Sequence, residues 1–302
     1  MKLALGTAQL GTDYGIQGNG RPSAEDSESL LDAAVERGIS VFDTAADYGS
    51  AEALLGDYLE CRGLRNSVRI VTKLRPGILD GIPAGKCGDV LENQIERSLH
   101  RLKTSRLDGL LFHSAEYVFR PDAVEALVRI KRRGLAEKVG VSVYTPREAD
   151  EALRYDGLDI IQVPYNALDG RLDRSGFFEK AKSLGMTVFA RSSLLQGLLT
   201  MPPERPFPAD MGFAAPYVAR FRGLCRELSL SPLECAVGFA AAHPCIDFLI
   251  FGADSRKQLE EYVRAAGKTM DPGSCEIVRS RFQDVPERVV TPFLWREGAK
   301  TP

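Results

Sequence analysis

The chain has 302 residues, 44% hydrophobic and 26% charged, with a formal net charge of −2 at pH 7. That balance is ordinary for a globular protein and gives no electrostatic reason to expect nucleic acid or an anionic membrane as a partner. No apolar run approaches the ~20 residues of a spanning helix.

The opening stretch, "MKLALGTAQLG", is too short for the apolar core of a signal peptide and reads as a first strand over Lys2–Leu5. A helix follows in "SAEDSESLLDAAVERG": Ser23 is the candidate N-cap, Leu30, Leu31 and Ala34 share a face, and Gly38 stops it. Further β-rich runs lie at Ser40–Phe42, Arg69–Thr72, Gly109–Phe112, Lys138–Val141, Asp159–Val163, Thr187–Ala190 and Phe248–Phe251. Between them, "DVLENQIERSLHRLKT", "RPDAVEALVRIKRRG", "TPREADEALRY" and "SRKQLEEYVRAA" carry helical spacing and helix-end signals. The Pro-rich segment 201–210 reads as a long loop, 231–244 as an extra helix before the eighth strand, and 271–302 as a C-terminal segment.

Runs of Val, Ile, Leu and Phe without strict alternation suit strands covered on both faces. Eight such strands alternating with helices predict a (β/α)₈ TIM barrel forming a single domain over residues 1–302. An open doubly wound sheet is the alternative. Its Gly-x-Gly-x-x-Gly signature is missing, because the first glycines stand at 6, 11 and 15. Cys61, Cys87, Cys225, Cys235, Cys245 and Cys275 are scattered, and His100, His113 and His243 form no ligand pair. No metal site is expected, and the thiols read as reduced in a cytoplasmic protein.

In such a barrel, functional groups collect at the C-terminal ends of strands. Asp43 ends the second, with Tyr48 in the loop beyond it; Lys73 ends the third and His113 follows the fourth. These four have complementary chemistry. A phenol titrating near ~10 is a weak acid at neutral pH. A nearby ammonium is expected to lower its pKa, a carboxylate to hold that ammonium, and a histidine to orient a carbonyl oxygen. Read singly, Asp43 is a cap, Lys73 a strand end and His113 a satisfied polar group; together they suit proton delivery to a carbonyl that accepts a hydride.

The segments "FDTAADYGSAE", "VTKL", "LLFHS", "GVS", "QVPYN" and "FGADSRKQLEEY" together resemble the aldo-keto reductase superfamily over nearly the whole chain. The resemblance implies a barrel that binds a nicotinamide dinucleotide without a Rossmann domain and reduces a small-molecule aldehyde or ketone. It implies Tyr48 as general acid, Lys73 and Asp43 as its tuning partners, and His113 as the residue orienting the carbonyl. Ser114 is placed toward the substrate. Ser142, Gln162 and Asn166 match contacts to the nicotinamide carboxamide. Arg191, Ser192 and Gln196 fall on the cofactor side of the seventh strand. The turn Gly252, Ala253 and Ser255, with Arg256, suits a phosphate at a helix N-terminus, and Gln258 and Glu261 match adenosine contacts. NADP(H) is expected ahead of NAD(H), and a monomer is expected.

Four positions depart from the family pattern. Arg191 stands where relatives often stack an aromatic ring, Val143 where they have Asn, the acidic Asp254 near a site often basic, and Tyr262 in place of a late Asn. Arg256 and Lys257 are available to offset Asp254. Phe293 and Trp295 have the option of reaching over the barrel mouth or of packing. An NAD-linked sugar or alcohol dehydrogenase and a nucleotide-binding regulatory subunit are the competing functions.

Overall fold

Eight parallel strands, hydrogen-bonded in sequence order, close into a barrel in the computed structural model, which describes residues 1–16, 20–207 and 209–295. They are β1 (Lys2–Gly6), β2 (Val41–Asp43), β3 (Arg69–Lys73), β4 (Leu107–Phe112), β5 (Ala136–Ser142), β6 (Ile160–Pro164), β7 (Thr187–Arg191) and β8 (Phe248–Gly252). All eight expected strands are present, and most run a residue or two beyond the apolar runs. The extensions matter, because Asp43, Lys73, Ser142 and Arg191 are the last residues of their strands.

Parallel register brings these ends to one rim. Asp43 pairs with Gly6 and Val71, Lys73 with Leu111, Ser142 with Gln162, and Pro164 with Arg191. Side chains alternate across each strand. Ala4, Val41, Val71, Leu111, Ile160, Phe189 and Ile250 form one buried cluster with a residue from nearly every strand. Their neighbours Leu5, Phe42, Ile70, Leu110, Ile161 and Leu249 belong to the larger cluster that includes the helices. This double burial is why the strands read as unbroken apolar runs.

The helices are α1 (Ala8–Gly11), α2 (Ala24–Glu36), α3 (Ala51–Arg62), α4 (Cys87–Arg101), α5 (Pro121–Arg132), α6 (Pro146–Ala152) and α7 (Arg171–Ser175). They continue with α8 (Phe177–Ser183), α9 (Ala215–Glu227), α10 (Pro232–Ala241), α11 (Arg256–Ala266), α12 (Pro272–Arg281) and α13 (Glu287–Val290). Ser23 caps α2 by accepting from the Asp26 amide at 3.0 Å, and Thr145 and Ser231 close capping boxes on α6 and α10. The expected extra helix is α10. The sequence reading missed α9, which buries Val218, Phe221, Leu224 and Cys225. Its arginines interrupt the apolar pattern, and the Pro-rich loop before it masks its start. Pro208 of that loop and residues 296–302 lie outside the described residues. No helix among the described residues is long and apolar enough to cross a membrane.

Candidate active site

The loop carrying Tyr48 is tied down by its backbone. The Thr44 amide donates to the Val71 carbonyl at 2.9 Å and the Ala46 amide to the Lys73 carbonyl at 3.0 Å. From the other side α1 packs directly on it. A Cβ built on Gly11 would fall 1.8 Å from the Tyr48 carbonyl oxygen, so only glycine permits this approach.

Lys73 is 1% exposed, and its Nζ donates to Asp43 Oδ1 at 2.8 Å, Asp43 Oδ2 at 2.7 Å and the Thr44 carbonyl at 2.9 Å. Three acceptors require three N–H donors, which only the ammonium form has. Burial pulls the Lys73 pKa down, and Asp43 opposes that pull. Lys73 Nζ stands 5.1 Å from the centre of the Tyr48 ring, and the His113 ring meets the same phenol edge-on at 5.7 Å between centres. The four residues singled out at the ends of β2, β3 and β4 therefore do meet.

Tyr48 departs from expectation in its titration. Burial, reinforced by the negative charge of Asp43, raises its pKa above the ordinary value instead of lowering it. Asp43, paired with Lys73 at 2.7 Å, offsets the pull of the ammonium on the phenol without removing it. His113 moves the opposite way, down to about 3, through burial first and then the charges of Lys73 and Arg191. It is a neutral imidazole at neutral pH, and its buried Nδ1 has no hydrogen-bond partner among the described residues.

Hydrogen bonds continue from Asp43 across the rim. Gln162 Nε2 donates to Asp43 Oδ1 at 2.8 Å, Ser142 Oγ to Gln162 Oε1 at 3.2 Å, and Arg191 Nε to Ser142 Oγ at 3.3 Å. Two of the three residues matched to a carboxamide thus join the tetrad. Asn166 does not: it is fully buried in its own turn, accepts from the Leu168 amide at 3.0 Å and is absent from the cavity wall.

Of these groups Asp43, Tyr48, Gln162 and Arg191 line a cavity of about 480 Å³, and Lys73, His113 and Ser142 lie behind its wall. Its wall runs from Asp43, Tyr48, Gln162 and Arg191, past Ser192, Gln196 and Gly197, to Gly252, Gln258 and Glu261 at the start of α11. Gln196 and Gly197 both take left-handed backbone, φ 54° and 92°, where the chain turns along this wall. Three expected phosphate-turn residues are placed differently. Ala253 is buried, Ser255 caps α11 by accepting from the Gln258 amide at 3.3 Å, and Arg256 pairs with Glu36 at 2.6 Å and Glu260 at 3.2 Å. None of their side chains forms cavity wall, because helix capping and surface ion pairing claim them.

The sequence reading assigned no site role to Gln9, Tyr14 or Tyr144. Gln9 and Tyr14 line the cavity from the segment after β1, and the Arg191 guanidinium lies 4.4 Å from the Tyr144 ring centre. The strand-end rule that found Asp43 and Lys73 points equally to the segment after β1. Tyr262 stacks on Phe251 at 4.1 Å and shares a hydrogen bond of 2.8 Å with Ser193, forming a flat wall at the α11 end. Ser114 is spent holding the Gly77 amide at 2.9 Å. Phe293 comes within 6.1 Å of the Tyr144 ring centre, whereas Trp295 packs inward and donates to the Arg288 carbonyl at 2.9 Å. Of the other histidines, His243 is buried against Phe178 at 4.0 Å, a packing role.

Comparison with known proteins agrees with this geometry. The profile of the Aldo/keto reductase family matches residues 2–280. Aldo-keto reductase str7 of Strobilurus tenacellus is 27% identical, over 93% of this chain and 88% of its own. The 6-dehydroglucose reductase of Novosphingobium aromaticivorans is 29% identical, over 82% of each chain. Among solved structures, the holo form of aldo-keto reductase AKR11C1 from Bacillus halodurans superposes with a TM-score of 0.75 at 22% identity, covering 93% of this chain and 91% of that one.

Proposed function

Because the chain belongs to the aldo/keto reductase family of oxidoreductases, we propose that it reduces an aldehyde or ketone to an alcohol, with a nicotinamide dinucleotide as cofactor and Tyr48 as general acid. The observation that carries this reading is the meeting of Tyr48 with both the buried Asp43–Lys73 pair and a neutral His113, with Tyr48 and Asp43 in the wall of a cavity.

The wall fits the cofactor. Gln162 offers the planar amide that suits a carboxamide, and Ser142, buried behind the wall, holds its Oε1 at 3.2 Å. The start of α11 offers backbone N–H groups and a helix dipole for phosphate. Phe251 and Tyr262 offer a stacked aromatic surface near Gln258 and Glu261 for the adenine end. The bound dinucleotide supplies the hydride.

The protein's part is the proton. Tyr48, kept protonated by burial, gives its phenolic proton to the carbonyl oxygen as that oxygen gains negative charge. Lys73, below the ring, steadies the phenolate left behind, and Asp43 fixes Lys73 in place. Neutral His113 has an N–H to orient the carbonyl.

For the nucleotide we infer NADP(H) ahead of NAD(H). Lys257, at the second position of α11, is exposed and makes no ion pair among the described residues, so it is available to a 2′-phosphate. Asp254 and Glu261 act against that choice, and Arg256 is engaged elsewhere. Fluorescence titration with NADPH and NADH, followed by a carbonyl panel, is the test. Tighter binding of NADPH and turnover of at least one aldehyde or ketone are expected; tighter NADH reverses the cofactor order, and binding of neither refutes the function.

A further inference from the structure

Arg191 is a charge that the proton-delivery scheme does not use. Its contacts are neutral: Nε donates to Ser142 Oγ at 3.3 Å, one terminal nitrogen to Ser192 Oγ at 3.2 Å, the other to the Val143 carbonyl at 3.0 Å, and the plane lies against Tyr144. Among the described residues no carboxylate pairs with it. A guanidinium does not deprotonate in proteins, so this charge is permanent.

The charges around it are otherwise balanced. Asp43 and Lys73 neutralise each other at 2.7 Å, and His113 is uncharged. Asp47, whose charge also reaches Tyr48, is exposed and stands 4.0 Å from Arg75, so the tetrad end of the cavity carries one positive charge with no carboxylate partner among the described residues. Burial dominates the titration of Tyr48, Lys73 and His113, and Arg191 adds a downward push at all three, which places its field at the reacting groups.

The proposed function requires a nicotinamide ring beside Tyr48, against the wall made by Gln162 and Arg191. That ring is neutral when reduced. On giving a hydride, two electrons and a proton, to the carbonyl carbon it becomes a cation, while the carbonyl oxygen takes the proton of Tyr48 and the product leaves as an alcohol. A fixed positive charge at the ring site opposes only the oxidised form.

We propose that Arg191 makes this site bind the reduced dinucleotide more tightly than the oxidised one, setting the enzyme toward carbonyl reduction and against the dehydrogenase direction. The inference rests on the function proposed above. A unit charge at the ring site, screened between protein-surface and aqueous values, produces a discrimination on the order of tenfold.

The experiment is a four-way titration of the full chain with NADPH, NADP⁺, NADH and NAD⁺, read by calorimetry. For the pair that binds more tightly, the reduced form is expected to bind about tenfold better. Arg191→Gln is expected to bring the two forms within about threefold, and Arg191→Lys, which keeps the charge, to retain most of the difference. Equal affinity for both forms in the unmodified chain overturns the proposal whatever the variants do. So does an undiminished ratio in a folded Arg191→Gln chain. Binding of none of the four nucleotides fells the cofactor reading itself, an outcome distinct from equal binding.

Discussion

Replacing Lys73 by Met removes one half of an ion pair with both partners nearly inaccessible, the side chains being 1% and 6% exposed. Asp43 then keeps only the Gln162 amide as a side-chain donor. Losing one partner of a buried pair costs about 3–5 kcal/mol, because the other charge stays behind without compensation. For a domain this large each kcal/mol lowers the melting temperature by roughly 2–4 °C, so Lys73→Met is expected to melt roughly 6–20 °C lower. Asp43→Leu is expected to cost a similar amount, since it strands the ammonium on the Thr44 carbonyl. The double variant Asp43→Leu/Lys73→Met is expected to recover at least about 2 kcal/mol of stability over either single, because neither charge remains. It is not expected to recover turnover. Thermal melting by circular dichroism gives the stability, and initial-rate reduction of the best carbonyl gives the activity. A Lys73→Met chain that melts within about 1 °C of the unmodified protein, an effect of roughly 0.5 kcal/mol or less, refutes the reasoning.

Reductive turnover is expected to stay nearly flat between about pH 5 and pH 9, because His113 is neutral and Tyr48 protonated across that range. A rate falling with a midpoint near pH 6.5 in stopped-assay profiles would place an ordinary histidine in the reaction. Stability is a separate readout: as pH falls below 6.5, the unfolded chain binds a proton at His113 that the folded chain refuses until about 3. His113 therefore costs stability progressively through that window, and His113→Gln is expected to flatten the acid limb of a urea-denaturation series. Gly11→Ala forces backbone away from the Tyr48 carbonyl and is expected to lower kcat on the order of tenfold to a hundredfold. Gly85→Ala, where a Cβ meets nothing within 4 Å, is the matched control and is expected to leave kcat unchanged.

The barrel was legible because each strand is buried on both faces and helices such as α2, α6, α10 and α11 carry their own end signals. Asp43, Tyr48, Lys73 and His113 were legible for a related reason: parallel register delivers strand ends to one rim, so ionisable residues at those ends converge. What sequence position does not give is where a side chain spends its hydrogen bonds. Ser255 and Arg256 sit in the phosphate-turn segment, yet one caps a helix and the other pairs with Glu36 across to α2. Asn166 lies in the motif beside Gln162, but its turn folds it into the interior. The direction of the Tyr48 pKa depended on placement as well. Counting an ammonium nearby predicts a lower value, and only the geometry reveals that the phenol is buried and lies in the field of Asp43, which both push it up. Tyr14 and Gln9 follow the first strand and line the cavity, so the same convergence of strand ends accounts for them.

The central claim is that Tyr48 delivers the proton, and Tyr48→Phe tests it most directly because it removes one hydroxyl and keeps the ring between Lys73 and His113. The measurement is kcat for the best carbonyl substrate alongside the dissociation constant for the preferred reduced nucleotide. A loss of general acid catalysis is worth about 10²–10⁴ in rate, so kcat is expected to fall by at least about a hundredfold while nucleotide affinity changes less than about threefold. A Tyr48→Phe chain that reduces the same carbonyl at near the unmodified rate contradicts the account.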